Sequence, residues 1–331
     1  MARVLIQGDG VAARCCGLLL LRGGFEVSFR SAPRPRLPVV MLSNAAIVLM
    51  RDVFEQKGLF RSSRPVVKRI VAWGADAGPV ALDHAAVVVS EQELLDELGC
   101  DGLDSKASSP SDWTIAASLP LPGGTMERRF GSRVASAIPV ELRADSEPAA
   151  CWMESLDRGW LFLIGNAPGA GWLLAVGDGA QESIGKSRLI SDQIACFGRE
   201  AGSFSSSPRI VSPLCGDDWF ACGSAAMTFD PICGDGTAHA VREAILAAAV
   251  IRAIEDGGNA ASLLAHYEAR LMAGFRKHLE LCLSFYRSGG SGEWWQGEVL
   301  ALRSGIGWCE RKLGSAPGFD YRLNGFELQR V

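Results

Sequence analysis

The chain has 331 residues, of which 48% are hydrophobic and 21% charged, with a formal net charge of −4. That length holds one large domain or two, and the mild acidity argues against a nucleic-acid surface, which would be strongly basic. The apolar stretches are too short or interrupted to span a bilayer, and no charged segment followed by an apolar run and a cleavage site opens the chain. The ten cysteines are scattered without any C-x-x-C pair, and the four histidines are dispersed, so no metal site is expected. Buried, reduced thiols in a cytoplasmic protein are the simplest reading.

In chain order, Ala2 to Gln7 reads as a buried strand, Arg14 to Leu21 as an apolar helix, and Phe25 to Phe29 as a second strand. Between the first strand and the helix lies Gly8-Asp9-Gly10-Val11-Ala12-Ala13, a G-x-G-x-x-A turn. Gly8 allows the tight bend, Gly10 lets a pyrophosphate approach the backbone, and Ala13 stands at the third small position. Gly17 lets the helix lie close on the sheet, and the free N–H groups at the helix start suit a phosphate. An ordinary α/β turn is the bland alternative. Many dinucleotide sites carry an acid after the second strand to hold the ribose. Here Arg30 and Ser31 follow Phe29. Arg30 can face a phosphate or stack on adenine, yet it accepts no hydrogen bond.

Prolines 33, 35 and 38 make the next segment a stiff connector. Met41 to Gln56 has helical spacing, Val66 to Trp73 reads as a strand, and Val80 to Leu82 and Ala85 to Val89 as further strands. Glu91 to Leu98 is a short helix, Asp101 to Ser111 a polar surface loop, and Gln181 to Gly198 a helix. Ala150 to Ser155, Gly159 to Ile164 and Gly171 to Val176 look like an antiparallel meander. Its tryptophans, Trp152, Trp160 and Trp172, form either its hydrophobic face or part of an aromatic pocket.

A second glycine-rich loop, Gly223 to Gly236 (GSAAMTFDPICGDG), follows a strand-like Trp219 to Cys222 and opens a long apolar helix through Ala238 to Ile254. Gly234 and Gly236 would expose backbone N–H groups at a helix start. Asp230 and Asp235 read as loop and helix caps, with a role as acids the alternative, and His239 as a packed or capping histidine, with an approach to a bound ring the alternative.

Together these motifs resemble the FAD-dependent monooxygenase superfamily, which includes aromatic hydroxylases, geranylgeranyl reductases and tryptophan halogenases. GDGVAA with Gly17 is similar to its N-terminal FAD fingerprint, and Gly223 to Gly236 to its second flavin motif, G-D-A-A followed by D-P and G-x-G. The halogenase-like branch, which also contains flavoproteins that mature tryptophylquinone cofactors, is nearest. Trp160-Leu161-Phe162-Leu163-Ile164-Gly165 resembles its W-x-W-x-I-P motif, with Trp160 and Ile164 matching. Phe275 to Arg287 and Glu293-Trp294-Trp295 resemble its late helix and aromatic pair. The departures are Arg30-Ser31 in place of an acid, Ser224 for the usual aspartate, and Ser90 where an arginine is common.

The resemblance implies FAD. Its pyrophosphate would lie at Gly8, Gly10, Val11, Ala12 and Ala13, Arg30 would face a phosphate or adenine, and Ser224 would stand where the family's aspartate bonds the ribityl chain. Its isoalloxazine would lie at Asp230, Pro231, Gly234, Asp235, Gly236 and Thr237. It implies an α/β fold: a Rossmann-like FAD domain with a mostly parallel sheet (1–75 and 205–260), an antiparallel substrate domain (76–204) and a mainly helical C-terminal region (261–331). The implied reaction is monooxygenation of an indole or phenol, free or within a peptide, by a flavin hydroperoxide. Trp160 is the expected substrate-side residue. Lys68 is the nearest candidate for the halogenase lysine, and Arg69 fits that register equally well. With no second dinucleotide fingerprint, a separate flavin reductase is the expected electron source. The alternatives are a reductase of the geranylgeranyl-reductase type and a non-catalytic accessory protein on a degenerate flavin fold.

Overall fold

The computed structural model describes residues 1–31, 36–74, 78–99, 110–314 and 320–331. The proline connector at 32–35 and nearly all of the polar stretch Asp101 to Ser111 lie outside the described residues.

The chain opens with β1 (Arg3–Gln7), α1 (Val11–Arg22) and β2 (Glu26–Arg30), and β1 pairs parallel with β2. Next come β3 (Val40–Ser43) and α2 (Asn44–Phe54). Helical spacing from Met41 predicts one helix, but Ser43 divides the run: its side chain accepts the Ala46 N–H at 3.3 Å and caps the helix there. The residues before Ser43 pair with β5 (Val80–Val89), which merges the two strands expected over 80–89. β4 (Arg64–Ala72) precedes it, and α3 (Glu91–Leu98) follows behind a Ser90–Glu93 capping box.

β6 (Trp113–Ala116) lies beside β1 in parallel. After β7 (Met126–Arg129) come β8 (Val134–Leu142), β9 (Ala150–Leu156), β10 (Gly159–Ala167) and β11 (Ala170–Gly177). β9, β10 and β11 form the expected meander, with Trp160 opposite Ser155 and Val176. A helix over Gln181 to Gly198 is not what forms. α4 (Ala180–Lys186) stops at Ser187, and β12 (Ile194–Phe197) occupies the end of the span. The reason is Glu154 on β9, whose buried carboxylate accepts from Ser187 Oγ and from the N–H groups of Arg188, Leu189 and Ile190 at 2.6–3.3 Å. Those donors leave the helix for a better acceptor.

β13 (Gly202–Ser205), β14 (Arg209–Ser212), β15 (Trp219–Ala221) and the two-residue β16 (Met227–Thr228) lead into α5 (Gly236–Glu255), α6 (Ala260–Gly289) and α7 (Glu293–Leu313). A hairpin, β17 (Tyr321–Asn324) and β18 (Glu327–Arg330), closes what the sequence predicts as a helical end, turning at Gly325 with φ +58.

The four-stranded sheet, in order β15-β6-β1-β2, is wholly parallel. α1 and α5 pack together, and their buried faces join one core with that sheet. A nine-stranded sheet, in order β12-β8-β11-β10-β9-β4-β5-β3 with β13 also on β8, is antiparallel except where β4 meets β9. Thus β6 joins the first sheet from within the span 76–204, and β4 joins the second from within 1–75. No helix among the described residues is long and apolar enough to cross a membrane.

Candidate cofactor and substrate site

The first glycine turn is tightly packed. Gly8 has φ +123, its N–H donates to Arg30 O at 2.8 Å, and a Cβ there would come within 3.3 Å of Ala117 and Ser118. α1 then starts with Gly10 as N-cap and without a side-chain cap. Its first intrahelical bond runs from Arg14 N to Gly10 O, so helix geometry leaves Val11, Ala12 and Ala13 N–H groups without intrahelical acceptors. In α2, α3 and α6 the side chains of Ser43, Ser90 and Asn259 supply such an acceptor. Ala12 and Ala13 are buried, and Arg30 and Ser31 are exposed.

Arg36 approaches the same turn and was not singled out by sequence. Its Nη2 donates to Asp9 Oδ2 at 2.6 Å, while its buried Nη1 makes no hydrogen bond and lies 4.0 Å from Glu91 Oε1. A cation on the connector after the second strand has no local sequence signal; only the fold brings it to Asp9.

The second motif touches the first. Gly223 has φ +59, and a Cβ on it would lie 2.7 Å from Ala12 Cβ, closer than two carbons pack. The Ser224 carbonyl accepts from Arg209, and its side chain is exposed. Further on, Asp230 Oδ1 accepts the Ile232 N–H at 3.0 Å and shapes the turn Pro231–Cys233. Gly234 closes that turn with φ +63. α5 then begins with Asp235 as N-cap and, like α1, no side-chain cap. Asp235 instead lies 3.4 Å from both His239 Nε2 and Arg242 Nη1, and His239 stacks on Phe229 at 4.1 Å.

A cavity of about 370 Å³ opens against this loop. Asp230, Pro231, Gly234, Asp235, Gly236 and Thr237 line one side, and Val39 to Met41 another. The nine-stranded sheet supplies the aromatic wall: Trp160, Phe162 and Ile164 alternate along β10, with Trp172 from β11 opposite Ile164. Trp152 does not share it. It pairs with Leu163, so strand alternation sends it to the opposite face, among Leu161, Leu163 and Leu173.

Behind the wall runs a buried polar chain. Trp160 Nε1–H donates to Tyr286 Oη at 3.0 Å, and Tyr286 O–H donates to Asp230 Oδ2 at 2.9 Å. Arg133 Nε lies 3.0 Å from the same oxygen, and its Nη1 donates to Glu298. Burial pushes the Asp230 carboxyl up from its ordinary value, and Arg133 pulls it back. The Asp230 N–H donates to His278 Nε2 at 2.9 Å, and burial, with His239 and Arg133, brings His278 down to about 3. Cys282 Sγ is 3.2 Å from that nitrogen and 3.6 Å from Cys233 Sγ. Three soft donors therefore meet here, but the imidazole lone pair already serves the Asp230 backbone. Asp230 is a loop-setting residue whose carboxylate points inward.

Lys68 stands outside the cavity. Its ammonium pairs with Glu147 at 2.8 Å, and the side chain is 46% exposed. A register shift between Val66 and Lys68 puts Arg69 on the cavity wall instead.

The residues present fit an extended dinucleotide. Two helix starts lack a side-chain cap, and the close approach of Gly223 to Ala12 brings the two glycine motifs together. No protein-family model matches the sequence, and no curated protein matches it. Among solved structures, QhpG, a peptidyl tryptophan dihydroxylase essential for tryptophylquinone cofactor biogenesis, matches with a TM-score of 0.75 and 20% identity over 90% of this chain and 78% of its own. CmlS, a flavin-dependent halogenase, matches at 0.75 and 18% over 95% and 71%. HpxO of Klebsiella pneumoniae, complexed with FAD and uric acid, matches at 0.64 and 15% over 96% and 97%. The chain therefore has the fold of the flavin-dependent monooxygenases and halogenases, as its two glycine motifs imply.

Proposed function

We propose that this protein is an FAD-dependent oxidoreductase, a monooxygenase that oxidises an indole or phenol ring, free or within a peptide. The observation that carries the reading is the cavity itself, where the uncapped start of α5 faces an aromatic wall. FAD would be held at its pyrophosphate by Gly8, Gly10, Val11, Ala12 and Ala13, with Arg36 adding a charge. Ser224 lies between the motifs in sequence and offers an exposed hydroxyl, and Arg30 keeps its backbone role toward Gly8. Pro231, Gly234, Gly236 and Thr237 would bound the ring system.

When bound and reduced, the cofactor supplies the oxygen chemistry. The chain's own residues do the rest. Backbone N–H groups at the start of α5 stabilise negative charge on the ring. Trp160, Phe162 and Trp172 keep the space dry and stack on the substrate ring. Tyr286 fixes Trp160 and Asp230 together, so the wall and the loop keep one spacing. A separate reductase would supply the electrons.

Reconstitution with FAD should give a yellow protein with bound-flavin absorbance. Gly10→Val should bind FAD at least about tenfold more weakly with unchanged circular dichroism, because its two methyl groups occupy the pyrophosphate approach. Reduced flavin and oxygen should then hydroxylate indole-containing peptides or free aromatics without halide. A folded wild type that takes up no FAD would defeat the reading, and a halide-dependent brominated or chlorinated product would replace hydroxylation with halogenation.

A further inference from the structure

Arg69 brings a positive charge to a cavity whose walls are mostly apolar. Its Nη2 lies 3.0 Å from His84 Nε2 and 3.8 Å from where a Cβ on Gly234 would sit, so the guanidinium stands at the flavin-motif loop. Its Nε is buried without a nitrogen or oxygen partner, and the neutral Cys151 thiol opposite it on β9 is its other polar neighbour. Among the described residues no carboxylate lies within 4.0 Å of it, whereas Lys68 next along the strand has Glu147. His84 does not neutralise it, because burial and then Arg69 itself lower the imidazole's pKa and keep it a neutral acceptor. A charge in an apolar cavity without a counter-ion is costly, and one held in place by a neutral neighbour is poised for an anion that arrives with the ligand.

We propose that this cavity takes an aromatic substrate carrying an anionic group, a carboxylate or a phenolate, which pairs with Arg69 while the ring lies on Phe162 and Trp172. The inference rests on the aromatic-substrate reading above and narrows it. Arg69 on β4 and the aromatic pair on β10 and β11 belong to one sheet with β9 between them, so charge and ring are recognised by separate side chains. A planar guanidinium suits the two oxygens of a carboxylate better than an ammonium would. The same charge chemistry could be met from a second source, the electron-rich edge of reduced FAD near Gly234.

The test uses FAD-loaded protein and two probes, indole and indole-3-carboxylate, with binding followed by quenching of protein fluorescence and by calorimetry. Wild type should hold the carboxylate about tenfold more tightly at low salt, and the preference should shrink with added salt. Arg69→Gln should bind both probes alike at the affinity of indole, and Arg69→Lys should restore part of the preference. FAD affinity, measured separately, should be unchanged in both variants. Equal binding of the two probes to wild type, or a preference that survives Arg69→Gln, overturns the anion proposal while leaving the aromatic reading intact. If neither probe binds, the aromatic reading fails and this inference falls with it. The flavin midpoint potential separates the two anion sources. A potential lowered in Arg69→Gln, with no change in probe preference, assigns Arg69 to reduced FAD and removes it from the substrate.

Discussion

Glu243, on α5, is fully buried and accepts the Gly223 N–H at 2.8 Å through Oε2, while Oε1 has no partner. Burial raises this carboxyl from 4.5 to about 8, against the opposing pull of that N–H. A carboxyl with a raised folded pKa contributes stability that is whole below its unfolded pKa and is lost as pH climbs through the folded one. The loss should therefore spread from about pH 4.5 to about pH 8. Glu243→Gln keeps a neutral side chain throughout. Its melting temperature should match wild type near the acid end of that range and exceed it by several degrees at the alkaline end. Parallel profiles for the two proteins would mean that Glu243 titrates as it does in water. Lys68 gives the opposite case. Its pKa is raised first by the hydrogen bond it donates to Glu147 and then by that residue's charge, yet the pair is at the surface. Lys68→Ala should leave melting temperature, FAD binding and turnover unchanged, and a lost turnover would return Lys68 to the mechanism.

Tyr286 joins three elements: it sits on α6, takes the indole N–H of Trp160 from β10, and donates to Asp230 at the loop before α5. Tyr286→Phe leaves a buried indole N–H unpaired, which costs about 1–3 kcal/mol. It should lower the melting temperature and, by loosening the Asp230 loop, weaken FAD binding. In a double-mutant cycle with Trp160→Phe the two costs should not add, since each removes the same bond. Strict additivity would show that the bond contributes nothing. This network marks the limit of what sequence shows. The G-x-G-x-x-A turn, the second glycine loop and the β-meander are local patterns, and each forms where its spacing says. Glu154 ending a helix more than thirty residues away, Arg69 replacing Lys68 after a strand irregularity, and Trp152 turning from Trp160 are decided by register and by contacts distant in sequence. The hairpin turn is a partial exception, because Asn324-Gly325 is itself a hairpin signal.

Across the whole molecule, the two glycine motifs are separated by more than two hundred residues and meet where Gly223 packs on Ala12. That contact needs a glycine, since any side chain there would push α1 off the loop. α1 and α5 pack together, and α6 fastens the loop before α5 through His278 and Tyr286. The cofactor cradle is thus assembled from the start and the C-terminal third of the chain, and one extended ligand should tighten all of it together. Amide hydrogen exchange measures this directly. Adding FAD should slow exchange at Val11 to Ala13 and at Gly236 to Ala238 along one titration curve, with the same midpoint. Weaker protection should follow in α6 around His278. The uncapped N–H groups at both helix starts are the reason: each lacks an intrahelical acceptor and gains one, or loses access to water, when the ligand arrives. Protection at only one of the two starts would mean the ligand does not span the motifs, and the extended pose would have to be abandoned. Gly223→Ala should raise the FAD concentration at the shared midpoint, because its methyl group pushes Ala12, in the first turn of α1, away from the second loop.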